Sequence, residues 1–318
     1  MAMRLHSTLV IIILVCHAIP SVLASWGNVL YEYLRCFHDC RRKCDDVIYP
    51  GKLPLSLRIF GWTCLDECKY TCMHEITAND VANDRPIKQF YGKWPFVRFL
   101  GVQEPASTLF SILNGLGHIL GWRAYRSVIP QNYKMYNVWK CYMLVNVNAW
   151  IWSTIFHTRD LNFTEKMDYF CATSLVLSSI FCFFVRAVGP ESRWKCSVFG
   201  VIVLIMFCCH VGYLGFIKFD YGYNIKANVT IGIINMVGWL SWCLKNYNKQ
   251  KYVWKCIFIT ITVFLLLGLE VFDFPPIWWT FDAHSLWHLG TVPLGYFWYR
   301  FLIDDSKYHI QQDVNKRQ

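Results

Sequence analysis

From about residue 97 onwards the chain is a succession of apolar runs long enough to cross a bilayer. They lie at approximately 99–122, 137–157, 167–187, 196–217, 226–244, 254–272 and 283–303. A hydrocarbon core roughly 30 Å thick is crossed by about 20 apolar helical residues. Backbone N–H and C=O groups find no water there, so a single run of this kind must satisfy them within a helix. The expected fold is all-α, a seven-transmembrane helix bundle. Its first run is the weakest, because Glu104, Asn114 and His118 interrupt it. Composition agrees: the chain is 55% hydrophobic and only 16% charged, where soluble domains carry roughly 25% charged residues.

The loops give a second test. If the amino end is lumenal, the cytosolic loops carry Arg123, Arg126, Lys134, Arg186, Arg193, Lys195, Lys245, Lys249, Lys251 and Lys255. The lumenal loops carry Arg159, Lys166, Lys218 and Lys226. That asymmetry follows the positive-inside rule and favours an odd number of spans, with residues 304–318 as a cytosolic tail. The net charge of +10 is spread over these loops rather than gathered on one domain, which argues against nucleic acid as a partner.

Ahead of the bundle, residues 1–25 read as a signal peptide, with the apolar run Leu9 to Val15 and the small-residue exit Ser21-Val22-Leu23-Ala24-Ser25. Residues 26–97 form a polar lumenal domain with six cysteines, Cys36, Cys40, Cys44, Cys64, Cys68 and Cys72, spaced C-x3-C-x3-C twice. Cysteines at i, i+4 and i+8 line one face of a helix. Two such helices about a turn at Tyr49-Pro50-Gly51 favour the nested pairs Cys36–Cys72, Cys40–Cys68 and Cys44–Cys64. Six cysteines allow fifteen connectivities, and a zinc cluster is the rival use of them. The other nine cysteines fall in the signal peptide or in apolar runs and read as small buried hydrophobes. The hairpin shows no chemistry of its own and reads as a cap. Two glycosylation sequons, at Asn162 and Asn228, fall on the lumenal side close to the bilayer.

The chemistry gathers at one depth. Residues 98–303 hold His284 and His288, one helical turn apart on the last run, the spacing with which a helix gives two nitrogens to one zinc ion. The second run ends at the same lumenal edge with Ser153 and His157, and the third begins there with Asp168. Ionisable groups inside spans are costly and mark functional sites by default. Three imidazoles make a catalytic zinc site with an open water position. Asp168 beside that water would be the general base, and Ser153 would stabilise an oxyanion. His118 and His210 lack partners at matching depth and read as buried, hydrogen-bonded histidines. Asp160 reads as a residue behind the ligands or a loop partner of Arg159, and Asp220, Asp273 and Asp282 as solvated loop residues.

The ordered set Ser153, His157, Asp168, His284 and His288 resembles the CREST superfamily of alkaline ceramidases, adiponectin-receptor-like proteins and GPI-remodelling hydrolases. Within it the chain looks most like the Per-type GPI lipid-remodelling family. The likeness covers nearly the whole chain, including Gly61-Trp62-Thr63-Cys64, Gly92-Lys93-Trp94-Pro95-Phe96, Gln103-Glu104-Pro105-Ala106-Ser107, Phe156-His157-Thr158-Arg159-Asp160 and Asp273-Phe274-Pro275-Pro276. The resemblance implies a zinc-dependent, phospholipase A2-type ester hydrolase of the Golgi or endoplasmic-reticulum membrane, its active site facing the lumen. The implied reaction removes the sn-2 acyl chain from the lipid of GPI-anchored proteins, the first step of their remodelling. The alternatives are a ceramidase-like amidohydrolase and a non-catalytic, zinc-stabilised seven-span receptor or folding factor. A di-iron desaturase would need more histidine boxes than the one H-x3-H present.

Overall fold

A computed structural model describes residues 26–44, 53–271 and 273–316. The signal-peptide segment and the turn at Tyr49-Pro50-Gly51 lie outside the described residues. Ten α-helices are found among them: α1 Tyr31–Cys44, α2 Leu55–Ile59, α3 Cys64–Ala82, α4 Pro105–Val128, α5 Tyr136–Thr158, α6 Asn162–Val188, α7 Arg193–Gly212, α8 Tyr221–Asn246, α9 Trp254–Val271 and α10 Ala283–Asn315.

Helices α1 and α3 pair as an antiparallel hairpin, and its three disulfides are Cys36–Cys72, Cys40–Cys68 and Cys44–Cys64. Each rung is one turn from the next on both helices, so the nested order satisfies all six sulfurs without breaking either helix. This disposes of the zinc-cluster alternative, since the cysteines are spent on one another. A capping box starts α3: the Asp66 backbone N–H donates to Thr63 Oγ1 and the Thr63 N–H to the Asp66 carboxylate. Behind the rungs Tyr33, Ile76 and Phe90 build a small core. Among the remaining described cysteines none is disulfide-bonded.

The other seven helices form the bundle. Packing runs α4–α5–α6–α8–α9–α10 and back to α4, a closed ring, with α7 set outside against α6. Four helical segments, Asn162–Val188, Arg193–Ile217, Tyr221–Asn246 and Lys251–Leu269, are long and apolar enough to cross a membrane. The chain is a multi-pass membrane protein. Helices α4, α5 and α10 are less apolar for a physical reason: their buried faces carry Ser107, Ser111, Asn114, His118, Asn146, Ser153, His157, Ser285 and His288. At Gly121 a Cβ would stand 2.1 Å from the Tyr299 ring, so glycine is what lets α4 close onto α10.

Two departures from the sequence-based expectations follow from packing. The first run begins as a helix only at Pro105, because residues 99–102 form a tight turn whose Gly101 has φ +88° and no room for a Cβ against Ser56. The last helix does not stop at residue 303. It continues to Asn315, so most of the expected tail is helix, and Asp305 and Ser306 are fully buried. The cause is a buried ion pair. Arg186 donates from Nε and Nη2 to the two Asp305 oxygens at 2.7 and 2.7 Å, and Tyr252 donates to Asp305 at 2.8 Å. Around this end the core is aromatic, with Trp239 edge-on to Trp298 at 5.4 Å.

Asp305→Ala would leave Arg186 buried and unpaired, and is expected to cost about 3–5 kcal/mol in denaturant unfolding of the detergent-solubilised protein. The double substitution Arg186→Met with Asp305→Leu should recover most of it. A loss under about 1 kcal/mol for Asp305→Ala would show the pair to be dispensable.

Candidate metal centre

Three helix ends meet away from the aromatic core. Helix α10 opens with Asp282 as its cap, accepting from the Ser285 N–H at 2.8 Å, and this fixes the first turn, which carries His284, with His288 one turn on. Helix α5 delivers His157 in its last turn. The three Nε2 atoms converge: His288 to His284 is 2.9 Å and His284 to His157 is 3.3 Å. His157 and His288 are buried and His284 is half-buried. All three sequence-predicted ligands are therefore brought to one point.

The donor set fits zinc. The Glu104 carboxylate lies 2.7 Å from His157 Nδ1. An ionised carboxylate only accepts, so Nδ1 carries the hydrogen and Nε2 keeps its lone pair. Nitrogens at these distances either share an N–H hydrogen or turn their lone pairs on a common cation. Nitrogens bound tetrahedrally at about 2.0–2.1 Å from zinc would stand roughly 3.3 Å apart, close to the spacing found. His288 Nδ1 is buried with no hydrogen-bond partner among the described residues. The cysteines Cys44, Cys64 and Cys68 also stand at ligand distance, but as disulfide sulfurs they offer no thiolate.

Asp168 lies in the second turn of α6, the helix that packs against α5 and starts where α5 ends in His157. It therefore shares the site. Ser153 is buried one turn before His157, and its nearest partner is Ser111 on α4 at 3.0 Å. Ser111 spends its own hydrogen on the Ser107 carbonyl at 2.8 Å, so Ser153 is the donor of that pair. His118 and His210 hold the bland positions expected of them, His118 against the Tyr299 hydroxyl and His210 between Thr173 and Asn224. Asn162 opens α6, while Asn228 lies inside α8 with its amide donating to Asn224.

Of the acidic residues Asp282 departs from its expected role, while Asp220 and Asp273 stand in loops with exposed hydrogen bonds as expected. Asp282 is not solvated: it is 6% exposed and caps α10. Asp220 caps α8. Asp273 accepts from Gln89 and from the Trp94 indole. Asp160 takes the first of its two expected places, behind the ligands: its carboxylate meets Lys93 at 3.2 Å, while the Arg159 guanidinium touches only the Asp160 carbonyl, at 3.4 Å, and reaches Asp66 of the cysteine hairpin at 2.8 Å. Trp62 lies between Arg98 and Arg159, their guanidinium carbons 3.4 and 3.6 Å from its ring centre. The hairpin is thus fastened to the loop that follows His157.

Glu104, Lys93 and Ser111 were missed as members of the site. In the sequence Glu104 stands as an interruption of the first run and within the family-like segment Gln103-Glu104-Pro105-Ala106-Ser107, with no site role attached. An acid at that depth carries a functional signal of its own, and matching its depth to His157 would have found it.

A family model described as the Per1-like family matches residues 54–306. The chain is 45% identical to the GPI-specific phospholipase A2-like PGAP3 of Xenopus tropicalis over 291 residues, 90% of this chain and 92% of that one. To the Homo sapiens protein of the same name it is 42% identical over 288 residues, 88% and 90% of the two chains. To the Protein PER1 homolog of Schizosaccharomyces pombe it is 38% identical over 303 residues, 92% and 91%. No solved structure matches the chain.

Zinc at a hundredfold excess over its Kd is expected to stabilise the folded protein by about 2.7 kcal/mol, read as a rise in Tm. His288→Ala should abolish the rise. An unchanged wild-type Tm across a zinc titration would contradict the metal assignment.

Proposed function

The chain belongs to the Per1-like family, and from that premise we propose that it is a zinc-dependent hydrolase removing the sn-2 acyl chain of GPI anchors. The observation that carries the reading is the convergence of the three Nε2 atoms at one end of a lipid-embedded bundle. Relatives that span nearly the whole chain are named GPI-specific phospholipase A2-like. GPI-anchored proteins and their lipid are then the substrate.

The proposal includes the topology. The seven long helices are seven spans, residues 26–97 are lumenal, and the histidines face the lumenal leaflet of the Golgi or endoplasmic-reticulum membrane. The helix ends support this, since the start of α4, the end of α5 and the starts of α6 and α10 lie together, as alternating spans require. The glycerol esters of a lumenal-leaflet lipid lie at that depth.

His157, His284 and His288 hold the metal. A zinc ion bound there supplies Lewis-acid chemistry, activating water and polarising an ester carbonyl. Asp168 takes the proton from the attacking water as it adds to the carbonyl carbon. Ser153 turns its hydroxyl from Ser111 to donate to the oxygen that gains charge. The tetrahedral centre then collapses with cleavage of the acyl C–O bond. Asp168 returns its proton to the departing glycerol oxygen, leaving free fatty acid and lyso-GPI.

The test is GPI-lipid analysis after re-expression in cells lacking the endogenous protein. Asp168→Asn should lower lyso-GPI formation by about 10²–10⁴-fold, and Ser153→Ala by about 10²–10³-fold, with zinc retained in both. Wild-type remodelling by both variants would overturn the assignment. Cleavage of a ceramide amide without any lyso-GPI would transfer the same chemistry to the amidohydrolase reading.

A further inference from the structure

We propose that Glu104 and Lys93 are positioning residues for the metal centre. Glu104 fixes the ring of His157, and Lys93, carried by the segment that follows the cysteine hairpin, holds Glu104 in place. The inference rests on the three-histidine site being a metal site.

Glu104 grips His157 at two points. Its backbone N–H donates to the His157 carbonyl at 3.0 Å, and its carboxylate accepts from the His157 Nδ1–H at 2.7 Å. The first bond sets where the end of α5 lies, and the second sets how the ring is turned. Next to it, the Gln103 N–H donates to the Thr158 carbonyl at 3.0 Å, and the Gln103 side chain accepts from the Asp160 N–H at 3.0 Å. The segment before α4 therefore lies along residues 157–160 as a short splint. A hydrogen bond from an ionised group is shorter and stronger than a neutral one, and a carboxylate behind a ligating histidine both orients the ring and raises its basicity.

A buried carboxylate needs a partner of its own. The Glu104 side chain is 6% exposed, and an unpaired charge at that depth would cost several kcal/mol. Lys93 supplies the cation: its ammonium bonds Glu104 Oε1, meets Asp160 Oδ2 at 3.2 Å and stands 4.1 Å from the Phe156 ring centre. Burial alone would lower the Lys93 pKa, but the Glu104 and Asp160 carboxylates overcome it and hold the ammonium above the usual lysine range. Lys93 follows the turn at Tyr91 and Gly92, both with positive φ, and its backbone pairs with Phe90 in the core of the hairpin. The order of contacts is Phe90, Lys93, Glu104, His157. The disulfide hairpin is thereby built into the metal site as well as standing over it.

The test is zinc affinity of the purified full chain, by chelator competition, in wild type, Glu104→Gln, Lys93→Met, Lys93→Arg and the double variant Glu104→Gln with Lys93→Met. Each of Glu104→Gln and Lys93→Met is expected to weaken zinc binding by about ten- to a hundredfold, and Lys93→Arg to recover most of the loss. Because Lys93 acts through Glu104, the double variant should bind zinc no more weakly than Glu104→Gln alone. The double variant leaves no charge orphaned at the depth of Glu104, only the part-exposed Asp160 carboxylate without Lys93, so it also separates loss of positioning from failure to fold. Wild-type affinity in both single variants, or losses that add in the double variant, would overturn the inference. A wild-type chain that binds no zinc would instead remove the metal-site reading beneath it.

Discussion

Three imidazole nitrogens from two helices far apart in sequence stand within 4.8 Å of one another, a ready ligand set for one cation, and this bundle is built to impose that convergence. Two of the nitrogens are fixed by a capped helix start, where Asp282 orders the turn of His284, with His288 one turn on. The third is fixed by Glu104, which grips His157 through both backbone and side chain. No helix contributes more than one wall of the site. The closed ring of packing is therefore a condition for that convergence, and the close approach of α4 to α10 at Gly121 is part of it.

The molecule separates its two tasks along the bundle. One end is held by aromatic packing and by the Arg186–Asp305 pair, whose charges satisfy one another out of water. The other end concentrates the polar side chains that make α4, α5 and α10 less apolar than their neighbours. Polar groups in lipid are tolerated where they face protein or a shared site, and here they face one another. The cysteine hairpin closes over this second end through Lys93, Arg98 and Arg159. A domain stapled by three disulfides is a rigid platform from which to hold those cations.

Much of this was legible in the sequence, for physical reasons. Helical spacing put His284 beside His288 and Ser153 below His157, and alternation of spans matched their depths with Asp168. The same spacing gave the cysteine ladder. What escaped was the choice of partners in the loops. Arg159 and Asp160 are neighbours in sequence, yet each pairs with a different segment, because the chain turns sharply between α5 and α6. Glu104 looked like a flaw in a span, since hydropathy records the cost of a buried acid and not the lysine and histidine that offset it. The helical extension past residue 303 depends on Arg186, over a hundred residues earlier, which no local pattern displays.

The most direct measurement follows zinc and product in one sample. A purified preparation would convert a diacyl GPI to its lyso form while zinc is stripped by a chelator and then returned. A single zinc ion per chain is expected, with lyso-GPI formation falling as the metal leaves and recovering as it is restored. Full lyso-GPI formation by metal-free protein would contradict zinc dependence.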